Sequence, residues 1–216
     1  MRLLRIDSSS LAANSVSRQL TQRIAAEWRA THPGTVFDYL DLAVDAPSHL
    51  SADSLGFRLA PGTEGLTKAQ KHENAISEAL VSQFLAADVI VLGAPMYNFS
   101  VPSQLKAWID RVAQAGRTFT YTEKGPQGLA GGKTVIVASS RGGMYANNPA
   151  LAFLDHQESY LKAVFGFFGI TDIRFVRAEG VAMGEAAKAK ALELAEREIK
   201  ALTAVAANES DATLAA

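Results

Sequence analysis

The 216-residue chain contains no cysteine. Disulfides, thiolate nucleophiles and Cys-ligated zinc or iron–sulfur centres are therefore excluded. Surplus charge of either sign is also lacking: 21 basic and 22 acidic side chains leave a net charge of −1. Nucleic acid is not expected as a partner, because neutralising phosphates needs a basic surplus. A dedicated electron carrier is disfavoured, because such carriers steer docking with a strong charge field. No apolar run is long enough to span a bilayer, so no membrane partner is expected. The N-terminal residues reach the charged Asp7 without the apolar stretch of a secretory signal, and the expected location is the cytoplasm. Only four histidines are present, His32, His49, His72 and His156. They fall in helical patterns, at helix ends or in a long loop, where surface positions are expected. G-x-S-x-G, H-E-x-x-H and G-x-x-x-x-G-K are all missing, so neither a metal site nor a P-loop is expected.

What is present alternates between short apolar runs and longer helical patterns. Strands are expected at Leu3–Ile6, Val36–Leu40, Val89–Leu92, Thr134–Ala138 and Ile173–Val176. The run Val89–Leu92 is apolar on both faces, as a buried parallel strand must be. Val16, Leu20, Ile24 and Trp28 form one helical stripe, with Ser15 placed to cap it and Pro33-Gly34 to end it. Thr67 and Gln70 have capping-box spacing at the head of a helix running to about Ala87. Leu105, Trp108, Ile109 and Val112 mark the next helix, stopped by Gly116. A helix over Leu151–Phe168 turns Leu154, Leu161, Phe165 and Phe168 to one side, and Gly184 to about Ala206 forms the last. The segment Thr118–Gly132 reads as a small excursion of extended chain, and Ala43–Leu66 as a long connection that could cover a site. Residues 1–206 are expected to form a single domain and 207–216 a polar tail with little to bury, expected to be disordered.

Strands alternating with helices imply an α/β fold, a doubly wound parallel sheet with helices on both faces. Five strands favour the order 2-1-3-4-5, with ligands beyond the strand carboxyl ends near the topological switch. Three loops meet at that edge. The first, Asp7-Ser8-Ser9-Ser10 followed by Asn14-Ser15-Val16-Ser17, offers hydroxyls and a helix N-terminus with no basic residue. It suits a permanently held phosphomonoester bound by neutral donors. The second, Pro95 to Pro102, sets Tyr97 and Phe99 beside Asn98, which suits a flat heteroaromatic ring. The third, Ser139-Ser140-Arg141-Gly142-Gly143, allows close backbone approach to a ligand. Singly, each also reads as an ordinary turn or as aromatics packed into the core; together, on one edge, they favour a ligand site. A phosphatase-like use of the first loop is the weaker alternative: the lack of cysteine removes a thiolate variety, and the lack of a nearby catalytic base weakens a serine one.

The segments APMYNF, QLKAWID, TFTYTEKGPQGL, SSRGG, GFFGITD and AEGVAMG resemble the FMN-dependent NADH:quinone oxidoreductases, also called azoreductases, from about Arg2 to Val205. The resemblance implies a flavodoxin-like fold and a homodimer, with one FMN per subunit in a site completed by the partner. It implies electron transfer from NADH or NADPH to quinones, and reductive cleavage of aromatic azo compounds. The implied order is ping-pong, the nicotinamide cofactor reacting first and leaving. Ser9, Ser15, Val16 and Ser17 match the phosphate loop. Met96, Tyr97, Asn98 and Phe99 match the loop beside the isoalloxazine ring, and Ser140, Arg141, Gly142 and Gly143 the loop at its edge. Tyr121 matches a substrate-facing aromatic. Val164 stands where many members have an aromatic, and its neighbour Phe165 is grouped with Tyr121 as substrate-facing. Flavin chemistry resides in the cofactor, so no catalytic residue of the protein is required.

Overall fold

The computed structural model describes residues 1–58, 63–146 and 148–214. The five expected strands are present as β1 (Arg2–Asp7), β2 (Val36–Asp41), β3 (Val89–Pro95), β6 (Thr134–Ser140) and β7 (Asp172–Ala178). They form one parallel sheet in the order β2-β1-β3-β6-β7. This is the 2-1-3-4-5 order once the separate hairpin of β4 (Phe119–Thr122) and β5 (Gly125–Gly128) is set aside.

Strand alternation sorts the core into two layers. Leu4, Ile6, Ile90, Leu92, Val135 and Val137 pack with Phe84, Trp108, Leu161, Phe165 and Phe168. These come from α2 (Lys68–Ala86), α3 (Ser103–Val112) and α4 (His156–Phe167) and the residue that follows it. Leu3, Val89, Val91, Ile136 and Ala138 face the other way, onto Val16, Leu20, Ile24 and Trp28 of α1 (Val16–Thr31) and Ala191, Ala195 and Ile199 of α5 (Glu185–Leu214). Ser15 caps α1 by accepting the Arg18 N–H. Thr67 and Gln70 form the capping box of α2.

Two helix boundaries differ from expectation. The pattern over Leu151–Phe168 divides: Ala152–Leu154 is a 3-10 turn, and α4 starts at His156 because the Asp155 carboxylate caps it through the N–H groups of Gln157 and Glu158. The backbone of α5 continues past Ala206 to Leu214, through residues expected as a tail; 215–216 lie outside the described residues.

The excursion at Thr118–Gly132 is the β4–β5 hairpin. It is seated on the end of α4 by an approach that only glycine permits, since a Cβ on Gly128 would lie 2.1 Å from the Gly169 nitrogen. The Ala130 N–H donates to the Phe168 carbonyl, and Tyr121 is thereby held out from the body of the domain. The described parts of the 43–66 connection dock on α2 and α3. Fully buried Arg111 donates to the Ser48 carbonyl and hydroxyl and pairs with Glu73, and Gly56 abuts Asn74. Residues 59–62 lie outside the described residues. Among the described residues no helix is long and apolar enough to cross a membrane.

Candidate functional site

The carboxyl ends of β1, β3 and β6 bring the three loops together. At the end of β1, Asp7 is 1% exposed. Its carboxylate accepts from Thr21 Oγ1 (2.6 Å), Arg5 Nη2 (2.9 Å) and Tyr39 Oη (3.0 Å), which ties α1 and β2 to β1. Ser8 turns inward and donates to the Gly93 carbonyl at 2.6 Å. Ser9 faces the other way, its hydroxyl 3.1 Å from Tyr97 Oη. Ser15 and Ser17 hydroxyls lie 3.1 Å apart at the head of α1. Val16 and Ser17 precede the first intrahelical hydrogen bond, and their N–H groups have no partner among the described residues. Hydroxyls, free N–H groups and the positive end of the helix dipole converge there, the physical requirement for an anion.

The nearest cation is drawn elsewhere. Arg18 donates to both oxygens of Asp41 (2.6 and 2.9 Å) and to Tyr39 Oη (2.7 Å). That hydrogen bonding, against the opposing effect of burial, raises the guanidinium pKa and holds the Asp41 carboxyl below its usual range. Burial pushes the Tyr39 phenol up.

The loop after β3 is a two-residue hairpin. Tyr97 and Ser100 exchange backbone hydrogen bonds of 2.9 and 3.1 Å. Asn98 (φ 47°) and Phe99 (φ 70°) both occupy the left-handed region, as a type I′ turn requires. Asn tolerates this conformation; a bulky Phe does so at a cost, and such strain gathers at functional sites. The N–H groups of Asn98 and Phe99 have no partner among the described residues, and both side chains are exposed. Beside the turn a groove of about 470 Å³ runs between Tyr97, Asn98, Ser103, Lys106 and Tyr160. Burial pushes the Tyr160 phenol up to about 12.

At the end of β6 the Ser140 carbonyl accepts the Met96 N–H at 2.8 Å, fastening two of the loops together. The Ser140 hydroxyl makes no hydrogen bond among the described residues. The N–H groups of Gly142 and Gly143 have no partner among the described residues, and neither residue has a positive φ. Space beside them is tight: a Cβ on Gly142 would lie 3.3 Å from the Ala182 Cβ, and one on Gly143 would lie 3.3 Å from the Tyr145 ring.

Two expected site residues are not brought there. The Arg141 side chain is 0% exposed and enclosed by carboxylates: Glu158 at 2.7 Å, Asp155 at 2.9 Å and Glu179 at 3.1 Å. Its Nε donates to Gln157 Oε1 at 3.0 Å, and its backbone N–H and carbonyl bond to Ala178 and Val181. An isolated buried charge is costly and a caged one is retained, so Arg141 is structural rather than ligand-facing. Phe165 is likewise 0% exposed, one helical turn from Leu161 in the core and edge-on to Phe168. Tyr121 by contrast is 72% exposed, edge-on to Phe119.

Gln157 and Glu179 were missed by sequence reasoning. Gln157 is fully buried and donates to the Ala94 carbonyl at 2.6 Å, linking α4 to the end of β3. Glu179 directly follows β7 on the same sheet edge, a position that could have drawn attention.

Comparison with known proteins agrees with the fold. A family model described as flavodoxin-like fold matches residues 1–202. An FMN-dependent NADH:quinone oxidoreductase of Polaromonas naphthalenivorans (strain CJ2) is 71% identical over 215 residues, spanning 100% of this chain and 99% of the relative. The chain belongs to the family of FMN-dependent NADH:quinone oxidoreductases. A family member from Acidovorax ebreus (strain TPSY) is 59% identical over 217 residues, with both chains fully covered. Among solved structures, an azoreductase from Bacillus anthracis str. Sterne superposes with a TM-score of 0.84 at 30% identity, covering 96% of this chain and 99% of that one. An FMN-dependent NADH-azoreductase from Bacillus anthracis str. Ames Ancestor, in complex with FMN, gives 0.87 at 26% identity over 95% and 99%.

Proposed function

We propose that the chain is an FMN-dependent oxidoreductase that passes electrons from NADH to quinones and reductively cleaves aromatic azo compounds. The observation that carries this reading is a set of donors at one sheet edge that have no partner among the described residues: N–H groups at Val16 and Ser17, at Asn98 and Phe99, and at Gly142 and Gly143. They match a ligand with an anionic end and a flat, acceptor-rich end, and FMN has both. Bound there, FMN would supply the redox chemistry, carrying two electrons and a proton from each NADH to the acceptor with the second proton from solvent; a quinone takes one such pair and cleavage of an azo bond takes two. Ser9, Ser15, Val16 and Ser17 hold the phosphate through neutral donors. Met96, Tyr97, Asn98 and Phe99 flank the ring, and Ser140, Gly142 and Gly143 meet its edge. Arg141 contributes by fixing the loop rather than by contact.

The reading includes a ping-pong order, a cytoplasmic location and a homodimer whose partner completes the site. Phe99 (42% exposed), Tyr121 (72%) and Phe153 (70%) are aromatic side chains left accessible for the partner to cover. Tyr121 faces the acceptor.

The deciding experiment is the visible spectrum of the purified protein with FMN supplied, recorded before and after anaerobic NADH and again after benzoquinone. A bound flavin band that bleaches with NADH and recovers with quinone is expected. Failure to retain FMN through gel filtration would sink the proposal. Light scattering reads the dimer separately.

A further inference from the structure

The donors at Gly142 and Gly143 do not orient themselves. The carbonyls of Arg141, Gly142 and Gly143 accept the N–H groups of Val181 (3.1 Å), Ala182 (3.2 Å) and Gly180 (2.9 Å). In a planar trans peptide the N–H of the next residue points opposite to the carbonyl. Each of these bonds therefore turns one N–H, of Gly142, Gly143 and Met144 in order, away from the segment after β7. None of the three has a partner among the described residues. The row then ends at Glu179. A single carboxylate oxygen, Oε1, accepts from Tyr145 N (2.9 Å), Ala146 N (2.9 Å) and Arg141 Nη1 (3.1 Å). Its side chain is 9% exposed, so these bonds are sheltered from water. A side chain at Gly180 would be strained: its φ is +74°, and a Cβ would lie 3.1 Å from the Met144 sulfur and 3.3 Å from that of Met183.

Resting on the function proposed above, we propose that Glu179 is a positioning residue for FMN binding. Its carboxylate closes the 141–146 loop so that the N–H groups of Gly142, Gly143 and Met144 stand as a preformed row of donors to the ring edge. Glu179 does not touch the ligand. Without it the loop must be ordered at the moment of binding, and affinity falls by that ordering cost.

The test measures FMN affinity by quenching of flavin fluorescence, alongside amide exchange of residues 142–146 in the apoprotein. Glu179→Ala is expected to weaken FMN binding about tenfold, the effect of losing a charge-assisted hydrogen-bond acceptor, and to speed exchange at Tyr145 and Ala146. Glu179→Gln keeps an oxygen at Oε1 and is expected to restore affinity to within about threefold of wild type. A role in bulk stability alone would not show that rescue in affinity. Gly180→Ala attacks the same contact from the other side, leaves the carboxylate intact, and is expected to weaken FMN binding at least about fivefold through strain at positive φ; it decides the matter if Glu179→Ala does not fold. Wild-type FMN affinity in Glu179→Ala, or in Gly180→Ala should the former not fold, would overturn the inference alone. A wild-type protein that binds no FMN would overturn the functional reading on which it rests, while the exchange data would still report the hold of Glu179 on the loop.

Discussion

The Tyr97 hydroxyl lies 3.1 Å from Ser9 Oγ, joining the loop after β3 to the loop after β1. One contact thus couples the phosphate end of the candidate site to its ring end. Tyr97→Phe keeps the ring and removes the link. FMN affinity is expected to fall about two- to tenfold, the usual worth of one net hydrogen bond. Fluorescence titration of the apoprotein measures it; an unchanged dissociation constant would mean that the two loops are positioned independently.

The type I′ turn at Asn98 and Phe99 stores strain that a glycine would release. Phe99 is 42% exposed, so the rest of its ring is covered and contributes packing that opposes the strain. Phe99→Gly relieves the positive φ but gives up the covered part of the ring, and is therefore expected to change apoprotein stability by no more than about 1 kcal/mol while lowering turnover with a quinone. Urea denaturation and steady-state rates read the two effects. A variant markedly less stable and equally active would show that the ring is packed rather than presented.

Much of this arrangement is legible in the residues. Apolar alternation located all five sheet strands, and hydroxyls or glycines at their ends located the edge where the loops meet. The strand ends were harder: Ala94↔Ser139 and Pro95↔Ser140 continue the ladder although these residue types have little preference for strands. The fate of Arg141 was not legible, because its carboxylate partners come from the approach to α4, from α4 itself and from the segment after β7, far along the chain. The burial of Phe165 was legible, because its spacing from Leu161 places it on the inward stripe of the helix.

Phe165 and Tyr121 should behave as opposites. Phe165→Ala removes a fully buried ring and is expected to destabilise the protein by about 3–5 kcal/mol. Tyr121→Ala, at a 72% exposed position, is expected to leave the melting temperature nearly unchanged and to raise KM for the acceptor several-fold. Thermal melts paired with quinone kinetics distinguish the two, and a Tyr121→Ala variant with unaltered KM would remove that residue from the acceptor site.

Acid stability should report the Arg18–Asp41 pair. The hydrogen bond from Arg18 lowers the Asp41 pKa, outweighing the effect of burial, with help from the Ala43 N–H. The folded value thus lies below the unfolded one of about 3.9, so the unfolded state binds the proton first as pH falls. The stabilisation is complete above the unfolded value and is lost as pH drops through the depressed folded one. Asp41→Asn is expected to melt below wild type at neutral pH, with the gap closing only below about pH 4. Because Arg18 carries the N–H that Ser15 caps, the same variant is expected to loosen the head of α1 and weaken FMN binding modestly at pH 7. Melting curves from pH 3 to pH 7 provide the check: a gap that stays constant across that range would show that the pair contributes through packing and not through its charges.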